Sequence, residues 1–146
     1  MATNERPVFD GVNLVVRDMD RSIEFYRRLG VEIADTTPPW DQHHRNMTTP
    51  EGIDFDFDST TFATKWDRGW PAGRSGAVFG FKVTTREAVD AIYAELTGAG
   101  YDGQQPPFDA FWGARYAIVA DPDGNGVGIM SPMDPARRSE PPDPEG

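Results

Sequence analysis

The chain has 146 residues, with 24 acidic against 14 basic side chains and a net charge of −10. That length fits one domain or two small modules sharing a core, and the acidic balance argues against a nucleic-acid binder, whose footprint would be basic. The absence of cysteine excludes a disulfide scaffold, a thiol nucleophile and thiolate-held zinc or iron–sulfur clusters, while no apolar run approaches the ~18 residues of a membrane span.

Residues 1–7 are polar and lack the apolar segment of a signal peptide, so a cytoplasmic location is the expectation. Residues 134–146 combine proline and charge without a large apolar anchor. Both ends read as flexible termini around a folded region of residues 8–133. The tail sets Glu140, Asp143 and Glu145 against Arg137 and Arg138, so nearly all the negative charge belongs to the folded part.

Val12, Leu14 and Val16 alternate with smaller or polar residues, the pattern of a strand with one apolar face. Asp18 then offers an N-cap to a helix carrying Met19, Ile23, Tyr26 and Leu29 at helical spacing, which Gly30 stops. Strands are expected at Val31–Asp35, His43–Thr48 and Ile53–Asp58. The linker, residues 60–75, carries Trp66 and Trp70; its first part can form a short helix, and its Gly/Pro end cannot. A strand at Ala77–Val83 follows, then a capping box from Thr84 to Glu87 and a helix to about Thr97. Further strands are expected at Tyr101–Gln104, Ala114–Ala120 and Gly126–Met130.

Each half reads strand–helix–strand–strand–strand, and the residues support an internal duplication. Trp40 precedes Trp112 by 72 positions, as Pro50-Glu51-Gly52 precedes Pro122-Asp123-Gly124 and Ser59 precedes Ser131. The fold class is therefore α+β, with tandem βαβββ modules at residues 8–59 and 76–133.

Two segments, Val12–Gly30 with its D-x-x-x-S-x-x-FY-x-x-LG pattern and Trp112–Pro132 with its DPDGN turn, resemble the vicinal oxygen chelate superfamily. That superfamily comprises glyoxalases, bleomycin-resistance proteins, fosfomycin-resistance enzymes and extradiol dioxygenases. The resemblance implies a curved mixed sheet forming an eight-stranded cup, with metal ligands on the first and last strands of the modules. It also implies pairing of two chains as a homodimer. The usual ligand positions fall on Gly11, Val78 and Gly128, none of which has a donor side chain. Only Asp56, 72 positions before Gly128, keeps a ligand-type group, so neither a metal nor another cofactor is expected.

Strand parity in such a cup turns Asn13, Val15, Gly80 and Lys82 inward, with Asp54, Asp56, Asp58 and Met130, and with His44, Asn46, Tyr116 and Ile118. The three aspartates read either as the solvated face of a strand or as an electrostatic trap for a cation. Their mutual repulsion should raise a carboxyl pKa and provide a general base. His43 and His44, being adjacent, point to opposite faces and cannot both hold one metal ion. Trp40, Trp66, Trp70 and Trp112 either pack on the sheet rim or form stacking walls for a flat ligand. Asp121–Gly124 reads as a turn, and neither Ser59 nor Ser131 has a triad context.

The function these residues indicate is metal-independent binding of a small molecule, aromatic and cationic, of the bleomycin-resistance type. The alternative is a glyoxalase-like lyase, isomerase or dioxygenase using Asp56 or His44 as acid or base. A small-molecule ligand, rather than nucleic acid or membrane, is the expected partner.

Overall fold

A computed structural model describes residues 3–146. The elements in chain order are β1 (Val8–Val16), α1 (Met19–Arg28), β2 (His44–Thr48), β3 (Asp54–Ser59), α2 (Thr60–Trp66), β4 (Gly76–Lys82), α3 (Arg86–Gly98), β5 (Gln105–Asp109), β6 (Arg115–Ala120) and β7 (Gly126–Met130). The seven strands form one mixed sheet in the order β2-β3-β1-β4-β7-β6-β5. Within each half the first and last strands pair in parallel, β1 with β3 and β4 with β7. The halves join through the antiparallel β1–β4 ladder. This is the α+β, duplicated architecture expected from the repeat, with one strand fewer. Among the described residues, no helix is long and apolar enough to cross a membrane.

The missing strand is Val31–Asp35, the counterpart of β5. Ile33 is buried against Met19, Ile23 and Phe57 beneath α1. The carbonyls that a ladder would use are taken by side chains instead: Arg27 donates to the Ile33 oxygen, and Arg45 Nη2 donates to the Ala34 oxygen at 2.7 Å. The strand expected at Tyr101–Gln104 also lies elsewhere, at Gln105–Asp109, and contains Pro106 and Pro107. Prolines are tolerated there because β5 is the last strand of the sheet and its ladder slips between Gln105 and Phe108.

Side chains cap all three helices, the first through the expected residue. Asp18 accepts from the Arg21 backbone N–H at 3.1 Å, an N-cap worth about 1 kcal/mol, and Ser59 caps α2 through Phe62 N at 3.1 Å. The cap of α3 is Thr85, which accepts from Ala88 N at 3.1 Å, rather than Thr84. Thr84 is committed elsewhere, both its N–H and its hydroxyl donating to Glu5.

α1 and α3 pack on one face of the sheet, each over its own half. Met19 and Ile23 of α1 meet Phe57, and Val89 and Ile92 of α3 meet Val83, Ala117 and Ile129. Burial of each such side chain contributes roughly 1.5–3 kcal/mol. α2 packs on the opposite face, where Phe62, Ala63 and Trp66 cover Val15, Val78, Tyr116 and Ile118. The first turns of the linker therefore enter the cup and close part of it.

Beyond β7, residues 134–146 carry only one 3-10 turn, Pro135–Arg137. Composition points to a loose end here, and the structure shows where it is tied. Asp134 N donates to Gly113 O at 3.0 Å and Ser139 N to Phe111 O at 3.0 Å. Farther on, Pro144 is buried, Glu145 lies 3.8 Å from His43 Nε2, and Lys65 donates to the Gly146 carbonyl.

Candidate functional site

The space that α2 leaves open on its face of the sheet is a cavity of about 510 Å³ lined by both halves of the chain, within the ordinary range for small-molecule sites. The strand registers explain its lining. Gly11, Asn13 and Val15 of β1 pair with Asp54, Asp56 and Asp58 of β3, which pair in turn with Thr48, Asn46 and His44 of β2. Because side chains alternate along a strand, this whole set faces one way. On the other side Asn13 pairs with Val78, and Gly11 with Gly80.

Eleven of the twelve residues expected to bind ligand line this cavity: Asn13, Trp40, His44, Asn46, Asp54, Asp56, Asp58, Trp66, Trp112, Tyr116 and Met130. Trp70 does not. It is 6 % exposed in the core beside α2, and its Nε1 donates to the Arg74 carbonyl at 2.8 Å. Val15 and Ile118 face the right way but lie under α2, and Lys82 is outside the lining. His43 lies in the turn before β2, outside the lining, and bonds the Ser59 hydroxyl at 2.8 Å.

Sequence reasoning missed Asp10, Phe62 and the tail residues Arg138 and Pro141, all of which line the cavity. Asp10 enters through a bulge: β1 slips against β4 between Phe9 and Gly11, so strict parity fails there. It becomes a fourth carboxylate. Burial raises its pKa, the charge of Asp54 adds to the shift, and Lys82 opposes it.

Beside it, burial and then the charge of Asp58 push the Asp56 carboxyl up to about 7; Asp54 and Asp10 add to this, and His44 opposes it. Asp58 is 2 % exposed and its Oδ1 lies 2.5 Å from His44 Nδ1. Burial works against a charged imidazole, but the Asp58 hydrogen bond and charge, helped by Asp56, hold the His44 pKa above its ordinary value. Thr48 Oγ1 donates to Asp54 at 2.8 Å. The wall thus has four carboxylates, one of them paired internally with His44. It remains negative overall.

Aromatic rings in edge contact with one another line the same cavity. Phe111 and Trp112 meet at 5.0 Å, Trp112 and Tyr116 at 5.4 Å, and Trp40 and Phe62 at 5.2 Å. Trp112 is oriented by its Nε1, which lies 3.2 Å from Met130 Sδ.

The sequence profile of the Glyoxalase/Bleomycin resistance protein/Dioxygenase superfamily matches residues 8–129. The chain belongs to this superfamily. Solved structures agree on the superfamily's fold. A chain described as NAD-dependent benzaldehyde dehydrogenase from Legionella pneumophila is 20% identical with a TM-score of 0.62, over 83% of this chain and 96% of that one. A glyoxalase/bleomycin resistance protein/dioxygenase superfamily member from Vibrio splendidus 12B01 is 19% identical with a TM-score of 0.56, covering 87% and 98%. Methylmalonyl-CoA epimerase from Mycobacterium tuberculosis is 17% identical with a TM-score of 0.57, covering 92% and 94%. At these identities the likeness is one of fold. No curated protein matches the chain in sequence.

The superfamily's metal does not fit this cavity. A Cβ on Gly11 would stand 2.6 Å from the Asp54 carbonyl oxygen, so a histidine cannot be seated there without moving β1 from β3. A Cβ on Gly128 would stand 2.5 Å from the Tyr116 hydroxyl oxygen and 2.9 Å from its ring, so an aromatic side chain occupies the place of the missing glutamate. Val78 is aliphatic and 1 % exposed. Among the described residues no group of three or more His, Asp or Glu side chains is arranged to hold a metal ion.

Proposed function

We propose that this member of the superfamily binds a flat, aromatic, positively charged small molecule without a metal. One observation carries the reading: four carboxylates, Asp10, Asp54, Asp56 and Asp58, line the same cavity as the rings of Trp40, Phe111 and Trp112. Carboxylates crowded in a partly desolvated wall repel one another, and a cation placed among them relieves that repulsion. Aromatic faces add dispersion and cation–π attraction to a flat cationic ligand. Both halves of one chain supply the lining.

Quenching of tryptophan fluorescence by cationic aromatic compounds, compared with neutral compounds of the same shape, tests this reading. Cations should bind and weaken as salt rises, because the contribution is electrostatic. Neutral compounds binding as well as their cationic counterparts at every salt concentration would contradict it.

A second reading is favoured by the His44–Asp58 hydrogen bond beside Asp56. An imidazole held by a buried carboxylate, next to a carboxyl that titrates near neutrality, can move protons without a metal. In that case Asp56 takes a proton from a bound carbon or oxygen acid, His44 stabilises the charge that develops, and Asp58 orients His44. Turnover lost in Asp56→Asn with ligand affinity retained would establish this reading over binding alone.

A further inference from the structure

The binding reading uses the cavity's acceptors and leaves its donors idle. Trp66 lines the cavity and is 4 % exposed, yet its indole N–H has no hydrogen-bond partner. A buried donor without an acceptor carries its full desolvation cost, which a ligand acceptor removes. The contrast with the neighbouring indoles is clear, since Trp70 donates to Arg74 O and Trp112 to Met130 Sδ.

The second idle donor is Arg138. It lines the cavity, and none of the ion pairs among the described residues involves it. Its backbone is fixed on both sides by Asp134 N to Gly113 O and Ser139 N to Phe111 O. Its stem lies over Gly113, where an added Cβ would meet Arg138 Cγ at 3.3 Å. The backbone and stem of Arg138 are therefore held against the Phe111–Gly113 loop of the second half, whereas all four carboxylates stand on β1 and β3 of the first half. Carboxylates from the first half and a guanidinium from the C-terminal segment thus line one cavity, together with aromatic rings.

A simple cation satisfies the carboxylates only. We infer that the ligand is amphoteric: its cationic group meets the carboxylate wall, and an anionic group on the same aromatic molecule meets Arg138 and the indole N–H of Trp66. This rests on the cation-binding reading and narrows it. A guanidinium recognises carboxylate or phosphate by paired N–H donors, so either anion fits the chemistry. Arg138 would then determine specificity, and the C-terminal segment that carries it would be part of the site.

Calorimetry with three naphthalene probes tests the inference: 2-(aminomethyl)naphthalene, 6-(aminomethyl)-2-naphthoate and 2-naphthoate. The amphoteric probe should bind about tenfold more tightly than the plain amine, the equivalent of one charge-assisted hydrogen bond. Arg138→Gln should bring the two amines to nearly equal affinity, the amphoteric probe losing its advantage while the plain amine binds no more weakly than before. Arg138 is exposed and outside every core cluster, so this variant should fold normally. Equal binding of both amines to the native protein, or equal weakening of both by Arg138→Gln, would overturn the inference and leave the cation reading standing. Binding of 2-naphthoate with failure of both amines would overturn the cation reading itself, and failure of all three would count against both.

Discussion

His44 Nδ1 and Asp58 Oδ1 lie 2.5 Å apart, at directly paired positions of β2 and β3. The bond accounts for a buried carboxylate and for a histidine that holds its proton more strongly than usual. In Asp58→Asn the opposing effect of burial acts with much less compensation, so the His44 pKa should fall below its native value. Because the folded-state pKa is raised, the stability this pair contributes is fully present below the unfolded value of about 6.5 and is lost as pH rises through the folded value. Asp58→Asn should therefore cost more stability at pH 6 than at pH 9. An NMR titration of the His44 ring together with denaturation at the two pH values checks both statements.

Asp56 changes stability in the same direction with pH, over a lower interval. Its carboxyl is raised to about 7, so between the ordinary carboxylate range and pH 7 the folded state holds a proton that the unfolded state has released. Stability should fall as pH rises across that interval. Asp56→Asn should flatten this part of the profile and leave the variant more stable than the native protein at pH 8, by at most a few kcal/mol. Thermal unfolding from pH 4 to 9 measures it.

Gly11→Ala should destabilise by about 1–3 kcal/mol, because the added methyl meets the Asp54 carbonyl oxygen at 2.6 Å. Gly98→Ala is the contrast. In the last turn of α3, an added Cβ there finds nothing within 4 Å, so it should be neutral or stabilise by up to about 1 kcal/mol. Gly128→Glu should fail to create a metal site, since the Tyr116 ring fills the space the carboxylate would need. Urea denaturation and metal titration of the three variants separate these outcomes.

Much of this could be read from the chain before the structure. Clean alternation along Ile53–Asp58 put three carboxylates on one face, and parity in β2, β6 and β7 brought His44, Asn46, Tyr116 and Met130 to the same side. The misses share a physical origin, in that each depends on a partner distant in sequence. Val31–Asp35 has a strand's composition, but its carbonyls are captured by Arg27 and Arg45. Asp10 is turned inward by a bulge that only the facing strand reveals. Val15 and Ile118 are covered by a helix whose position inside the cup no periodicity encodes. Arg138 reaches the cavity because its flanking backbone is bonded to a loop more than twenty residues earlier.

Arg45 offers a test of the missing strand. It is 7 % exposed, and it ties residues 33–36 to β2 by donating to Ala34 O and pairing with Asp35. Arg45→Met should destabilise by about 1–3 kcal/mol, by leaving that carbonyl without its donor. It should also speed amide exchange in residues 33–36 more than in β5, which hydrogen–deuterium exchange resolves segment by segment.

The central claim is that a cation sits against the carboxylate wall, and proton release on binding reports this directly. A cation beside Asp56 favours its ionised form, so binding near pH 7 should expel roughly half a proton. The probe is (naphthalen-2-ylmethyl)trimethylammonium, whose charge does not depend on pH, titrated calorimetrically into the protein in buffers of different ionisation enthalpy. The account predicts release at pH 7, little or none at pH 9, and a marked loss of release in Asp56→Asn. Binding with no buffer dependence at pH 7, or with proton uptake, would contradict it.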